Sequence, residues 1–304
     1  MIYIYLDTNF LSELSKTACD KKQEARGIEK WRAILNVLYQ ETKNGSLTCP
    51  ASQFQTQEAM LAEGLQKEFV SLQQALSLGL YFMEWQEILV HQTADELLRY
   101  LGRPQDIDSS WSPFTKKSPN VVTALTTRKM KSDMAKFAQS MGAHPVPEMS
   151  YAEHYGAEKT SFLQNSFLQP IRQLLRLPTY AKSFDGTLLV MLMAEASITE
   201  NELQRALQFF DSPSVDSVPF IHIFCSIFAS LRFHESNRNY TGNEREDAVA
   251  LACAIPYCQI VTTDANMKTN VKDRLHFDEK YGASFFVPRK DDLDTLNRVL
   301  MGAS

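Results

Sequence analysis

The stretch I-Y-I-Y-L-D-T-N at positions 2–9 decides the fold of the amino-terminal part of the chain. Residues 2–6 are all apolar or aromatic, and the run is too short to form a helix. A continuous apolar run of this length is typical of a parallel strand that is buried on both faces. The sequence therefore predicts a first strand over residues 2–6, with Asp7 at its carboxyl end.

Strands and helices are predicted to alternate near both ends of the chain. The amino-terminal elements after the first strand are a helix over 20–43, a strand over 46–50, and a helix from Ser52 to about residue 76. The carboxyl-terminal elements are a helix over 244–255, a strand over 259–263, a strand over 284–288, and a helix over 291–301. This alternation predicts an α/β fold with one parallel sheet built from both termini.

The middle of the chain, residues 83–235, shows a different pattern. Helical periodicity dominates there, strand signals are almost absent, and prolines interrupt the sequence repeatedly. We therefore expect residues 1–82 and 236–304 to form one α/β domain that carries 83–235 as a large α-helical insertion.

The composition is typical of a folded protein with a negative net charge. The 304 residues are 44% hydrophobic and 22% charged, with a net charge of -5, so nucleic acid could bind only at a local basic surface. The five cysteines form no C-x-x-C pair, which favours buried free thiols. The amino terminus lacks a basic n-region, and the most apolar stretch, 218–233, is shorter than the roughly 20 residues that span a bilayer. We expect a cytoplasmic protein without membrane contact.

Acidic residues fall where the strands of the predicted sheet end. In a parallel sheet the carboxyl ends of the strands share one edge with the amino ends of the following helices. Four carboxylates map to this edge: Asp7, Glu58, Asp247 and Asp264. Converging carboxylates repel one another unless a cation neutralises them, and ligands that are all oxygen suit Mg²⁺ or Mn²⁺. The pattern predicts a metal site at this edge.

Three of these four acids also have a simpler explanation. Asp7 and Asp247 could favour the amino ends of helices, and Glu58 could lie on a solvated helix face with Glu63 as its substitute. Glu246 is expected to be an exposed acid in the first turn of its helix. The argument for a metal site therefore depends on the set of four acids.

Four motifs carry a family resemblance. They are Y-L-D-T-N at 5–9, T-C-P-A-S-Q-F-Q-T-Q-E at 48–58, E-R-E-D-A-V-A-L-A-C-A at 244–254 and I-V-T-T-D-A-N-M at 260–267. Together they resemble the PIN-domain nucleases, over roughly residues 1–80 and 240–304. The resemblance implies a Rossmann-like parallel sheet and a Mg²⁺- or Mn²⁺-dependent nuclease, with RNA favoured over DNA as its substrate. It implies that the four carboxylates act as catalytic metal ligands, directly or through water, with Asn9 and Thr263 as supporting residues.

A basic run lies inside the predicted insertion. Residues 115–136 contain one acid, Asp133, and six basic residues: Lys116, Lys117, Arg128, Lys129, Lys131 and Lys136. The run is either a solvated helix face or a surface that contacts the phosphates of nucleic acid.

Two other kinds of function compete with the nuclease. A PIN-like module without catalytic activity could bind nucleic acid or protein, although a scaffold has no need for four converging carboxylates. A metal-dependent phosphatase on a similar sheet would need a covalent Asp motif that the chain lacks. The sequence leaves open an inhibitory or effector protein partner and assembly into a homo-oligomer.

Overall fold

A computed structural model describes residues 1–19, 28–59, 66–117, 149–168, 188–235 and 242–302. The strands in these ranges are β1 (Ile2–Tyr5), β2 (Leu47–Thr48), β3 (Tyr81–Phe82), β4 (Phe114–Thr115), β5 (Ile260–Thr262) and β6 (Ser284–Phe286). The helices of the first third are α1 (Thr8–Ala18), α2 (Ile28–Asn44), α3 (Gln53–Ala59), α4 (Gln66–Ser77) and α5 (Trp85–Leu101). The later helices are α6 (Tyr151–Leu163), α7 (Leu188–Glu195), α8 (Leu203–Phe210), α9 (Pro219–His234), α10 (Gly242–Ala254), α11 (Ala265–Lys268), α12 (Phe277–Tyr281) and α13 (Lys290–Gly302).

The main sheet has four parallel strands in the order β2-β1-β5-β6. Strand β2 follows β1 in the sequence and lies on one side of it, at an edge of the sheet. Strand β5 comes much later in the sequence and pairs with the other side of β1, and β6 forms the opposite edge. The point where the strand order reverses therefore lies between β1 and β5. In the register of this pair, Ile4 is opposite Ile260 and Tyr5 is opposite Val261.

Both faces of this sheet are covered by helices. Ile4 and Ile260 point to one face, where they join a buried cluster with side chains of α1, α2, α4 and α13. Tyr5 and Val261 point to the opposite face, where they join a second cluster with side chains of α5, α9 and α10. A strand that is buried on both sides needs the uninterrupted apolar sequence seen at residues 2–6.

The predicted α/β fold with a parallel sheet built from both ends of the chain is confirmed. Each of the predicted strands is present, and the helices over 244–255 and 291–301 agree with α10 and α13 to within two residues at either end. The predicted helix over 20–43 appears as α2 from Ile28, while 20–27 lie outside the described residues.

Three local predictions need correction. The helix α1 follows Asp7 directly, in a segment for which no element was predicted. The segment after Ser52 forms two helices, α3 and α4, with residues 60–65 between them outside the described ranges. The middle of the chain is not purely helical, because β4 pairs antiparallel with β3. Both strands are two residues long and show too little periodicity to be recognised, whereas β2 was predicted from the longer stretch 46–50.

Side chains of the middle segment, 83–235, share a core with the sheet. Ile88 of α5 and Ile223 of α9 belong to the same buried cluster as Tyr5 and Val261. The described part of this segment thus supplies much of the helical layer on one face of the sheet. Its boundaries as an insertion remain a prediction.

Two further predictions concern the cysteines and membrane contact. All five cysteines are free, and all except Cys19 are buried, which raises the pKa of the Cys49, Cys253 and Cys258 thiols. Within the described ranges, every helix is too short or too polar to cross a bilayer.

Candidate functional site at the carboxyl edge of the sheet

Asp7 links the end of β1 to the start of α1. Its backbone is extended, with φ -61° and ψ 155°, and its Oδ2 accepts a hydrogen bond from the Asn9 N–H at 3.3 Å, which makes it the N-cap of α1. The Asp7 N–H donates to Thr262 Oγ1 at 2.8 Å. Asp7 is therefore held from both sides, by its own helix and by the neighbouring strand β5.

Asp264 has the same role one strand away. It follows β5, and its Oδ1 accepts hydrogen bonds from the N–H groups of Asn266 at 2.7 Å and Met267 at 2.9 Å, so it is the N-cap of α11. The side chain is half-buried. No described residue makes a hydrogen bond or ion pair with its other oxygen, Oδ2. One oxygen of Asp264 thus supports the helix, and the second is available to a ligand.

Asp7 and Asp264 follow adjacent parallel strands at the point where the strand order reverses. Ligands of open α/β sheets bind outside the carboxyl ends of the strands at such a point, since the flanking connections leave in opposite directions and open a crevice. Both carboxylates therefore lie at the position where this architecture places a ligand.

Gln55 ties α3 to the end of β1 beside Asp7. The helix begins after Ser52, whose Oγ accepts the Gln55 N–H at 3.3 Å, as predicted for a cap. The Gln55 side chain is 1% exposed; its Oε1 accepts hydrogen bonds from the Ser52 N–H at 2.8 Å and from Gln73 Nε2 at 3.0 Å. Its Nε2 donates to the carbonyl oxygen of Leu6. Glu58 lies one helical turn after Gln55, but its side chain is outside the described part of the structure.

Asp247 is half-buried in α10, the helix that precedes β5. The helix begins at Gly242, so Asp247 is in its second turn, whereas the sequence analysis expected the first turn. Glu246 is half-buried, which corrects the expectation that it would be exposed. The first-turn acid is Glu244, which is buried. Glu63 falls within the undescribed range 60–65.

Within the described ranges, His, Cys, Asp and Glu side chains form no group of three or more that could hold a metal ion. Because the Glu58 side chain is not described, the predicted set of four is not tested as a whole. The ligand chemistry is consistent with a hard cation, since Asp7 and Asp264 offer only carboxylate oxygens at this edge and Oδ2 of Asp264 is available.

Two of the predicted residues were expected to support the carboxylates. The backbone N–H of Asn9 donates a hydrogen bond to Asp7 Oδ2, and the side chain of Asn9 is exposed. Thr263 is buried, and its N–H donates to the Phe286 carbonyl at 3.0 Å. The threonine that binds Asp7 is Thr262.

Sequence reasoning missed Thr262 and Gln55. The Thr262-Thr263 pair in the sequence indicates that a threonine hydroxyl lies near Asp7. Adjacent strand residues point to opposite faces, so the choice between the two threonines requires the register of β5 against β1, which the sequence does not provide. Gln55 is a polar residue on the buried side of a helix, which sequence alone does not distinguish from an exposed glutamine.

The predicted nucleic-acid-binding run is described only at its start. Lys116 and Lys117 are exposed immediately after β4. The other four basic residues, Arg128, Lys129, Lys131 and Lys136, lie in the undescribed range 118–148.

Comparisons with protein-family models, curated proteins and solved structures find no match to this chain. The features of the chain that bear on its function are therefore the sequence motifs and the site at the carboxyl edge.

Proposed function

We propose that this chain is a metal-dependent nuclease that hydrolyses phosphodiester bonds, with RNA favoured over DNA as the substrate. The observation that carries the proposal is the position of Asp7 and Asp264 at the carboxyl ends of adjacent parallel strands, where the strand order reverses. The resemblance of the surrounding motifs to PIN-domain nucleases supports the same function.

The residues proposed to hold Mg²⁺ or Mn²⁺ are Asp7, Glu58, Asp247 and Asp264, directly or through water. When bound, such an ion lowers the pKa of a coordinated water and neutralises charge that develops on the phosphate. The contribution of the chain is to hold negative charge in a fixed place. Asp264 does so with one oxygen, Oδ1, bound to two backbone N–H groups, which leaves Oδ2 without a hydrogen-bond partner among the described residues.

Hydrogen bonds from neighbouring residues fix the ends of β1 and β5, and helix α3, relative to one another. The Thr262 hydroxyl fixes the backbone of Asp7 relative to β5, and Gln55 fixes α3 relative to Leu6. Asp7 also lies at the amino end of α1, where the helix dipole stabilises a carboxylate by about 0.3 to 1 kcal/mol. The amino end of α1 thus offsets part of the repulsion between Asp7 and the other acids proposed for the site.

A basic surface would offset the negative charge of the chain toward nucleic acid. Lys116 and Lys117 are exposed and begin the run of six basic residues, which we propose contacts phosphates and guides the strand toward the acidic edge.

The second candidate function is a PIN-like module that binds nucleic acid or protein without cleaving it. The observation that favours it is that Asp7 and Asp264 both cap helices, a structural role that would retain them without any metal. An inhibitory or effector protein and a homo-oligomeric state are compatible with either function.

The experiment that separates the two functions is a cleavage assay. Purified protein is incubated with end-labelled single-stranded RNA and with DNA of the same sequence, in Mn²⁺, Mg²⁺ or a chelator. We expect RNA to be cut in either metal, DNA to be cut more slowly, and both to remain intact with the chelator. Binding of RNA without cleavage under every condition would instead support the inactive module.

A further inference from the structure

A second polar cleft lies away from the carboxyl edge, between α6, α9 and α12. It has a volume of about 310 Å³ and is lined by Tyr151, Tyr155, Asp216, His222, Ser226 and Lys280. Helix α12 ends just before the amino end of β6. The cleft is therefore near the amino-terminal edge of the parallel strands, whereas Asp7 and Asp264 lie at their carboxyl-terminal edge. Its volume is at the lower limit of ligand pockets, which measure about 300 to 1,000 Å³.

One end of the cleft presents an ammonium group. Lys280 Nζ lies 3.0 Å from His222 Nε2, and His222 Nδ1 lies 3.1 Å from the Tyr281 hydroxyl. Burial lowers the pKa of His222 to about 4 and also lowers the pKa of Lys280. The neutral imidazole therefore accepts one N–H of Lys280, and the other two N–H groups are left for a ligand.

The acid in the cleft is already engaged by other groups. Both oxygens of Asp216 lie 2.9 Å from Lys159 Nζ, and Oδ1 accepts the Tyr155 hydroxyl at 2.7 Å. Lys280 makes no ion pair with any carboxylate of the described residues. Lys280 is exposed at the cleft, so its ammonium is accessible to an anionic ligand.

The wall of the cleft is aromatic. Tyr151 and Tyr155 are one turn apart on α6, with ring centroids 6.5 Å apart and ring planes within 26° of parallel. The hydroxyl of Tyr155 is held by its hydrogen bond to Asp216 Oδ1. Both rings are partly exposed. These two nearly parallel rings offer aromatic faces on which a flat heterocycle can stack.

We propose that this cleft binds a nucleoside monophosphate, with the base on the Tyr151 and Tyr155 rings and the phosphate on Lys280. The aromatic wall matches the base of such a ligand, and the ammonium, which has no carboxylate partner among the described residues, matches its phosphate; the cleft volume falls within the range of ligand pockets. The ligand is either a free nucleotide or the 5′-phosphorylated end of a single strand. The proposal does not rest on the nuclease function, because binding is measured without cleavage.

The test is equilibrium binding of adenosine monophosphate, adenosine and inorganic phosphate to the full chain in chelator. We expect the monophosphate to bind about tenfold more tightly than either fragment, because only it uses both the ring surface and the ammonium. Equal affinities for the monophosphate and adenosine would overturn the proposal, and so would the absence of binding at millimolar monophosphate.

Variants assign the contacts. Lys280→Met should weaken monophosphate binding about tenfold and leave adenosine binding unchanged, while Tyr151→Leu should weaken both. Lys280→Arg keeps the charge and should bind nearly as well as the wild type. Lys67→Met, which removes an exposed lysine of α4, is the matched control and should change nothing. Thermal melting checks that each variant is folded; a folded Lys280→Met with wild-type affinity would exclude the proposed phosphate contact.

The source of the ligand is decided by competition. RNA strands carrying a 5′-phosphate or a 5′-hydroxyl are added in chelator to protein that holds labelled monophosphate. Displacement by the phosphorylated strand alone identifies strand ends as the ligand, and displacement by neither strand identifies the free nucleotide. Equal displacement by both would contradict a site for a terminal phosphate. In addition, bound monophosphate should raise the pKa of His222 measured by NMR, because the phosphate lies beside Lys280 and favours the protonated imidazole.

Discussion

The hydrogen bond between Asp7 and Thr262 can be tested by replacing Thr262 with Val, which nearly preserves the shape of the side chain. Thr262 is fully buried, at 0% exposure, and its hydroxyl accepts the Asp7 N–H at 2.8 Å. Val cannot accept this bond, so the N–H of Asp7 loses its partner. An unsatisfied buried group costs about 1 to 3 kcal/mol. Because Asp7 is half-buried and water reaches it in part, we expect the free energy of unfolding to fall by about 1 to 2 kcal/mol.

Urea unfolding in chelator measures this loss, and amide hydrogen exchange identifies its location. The Asp7 N–H should exchange faster in Thr262→Val. Thr262→Ser is the matched control, because it keeps the hydroxyl and should keep the protection of Asp7, although loss of the methyl group costs about 1 kcal/mol. The Ser variant should also retain more nuclease activity than the Val variant. Unchanged stability and unchanged exchange at Asp7 in Thr262→Val would refute the proposed role of this hydroxyl.

Three further predictions concern other parts of the molecule. Gln55→Leu leaves three buried partners unpaired, so the free energy of unfolding in urea should fall by about 3 kcal/mol or more; a loss under about 1 kcal/mol would show that these bonds do not hold α3. The pKa of His222 is about 4 in the folded chain and 6.5 in the unfolded chain. Between pH 6.5 and 4, His222 is therefore protonated in the unfolded chain but not in the folded chain. Stability should therefore decrease as pH falls from about 6.5 to 4, and His222→Gln should weaken that decrease when melting temperature is measured against pH. Joint replacement of Arg128, Lys129 and Lys131 by Ala should weaken RNA binding across sequences and flatten the slope of log K against log salt by about 0.7 per lost contact; unchanged affinity and slope would indicate a solvated surface.

The periodicity of the sequence was enough to predict the main sheet and the position of Asp7 and Asp264 at the ends of two of its strands. The run at residues 2–6 and the run ending at Thr263 could belong only to short buried strands, and both are followed by an Asp. Parallel pairing then placed Asp7 and Asp264 at the same edge. The order of the strands was not predicted, because pairing between β1 and β5 depends on contacts about 255 residues apart.

The contacts that hold the site required the structure. Thr262 was not distinguished from Thr263, because one step of register exchanges the faces of a strand. The second cleft combines Tyr155, His222 and Lys280 from three helices, and no local spacing connects them. Short strands such as β3 and β4 form only because the packed chain brings them together.

The central claim is that the carboxylates at the sheet edge serve metal-dependent cleavage beyond their role as helix caps. Asp264→Asn separates these roles, because Asn caps a helix as well as Asp does but lacks the negative charge that holds a divalent cation. The measurement is the rate of single-stranded RNA cleavage in Mn²⁺ by the wild type, Asp264→Asn and Asp7→Asn, with melting temperatures taken in chelator. Our account predicts that both variants melt at or above the wild-type temperature and cleave no faster than the wild type does in chelator. Wild-type cleavage rates in both variants would contradict it.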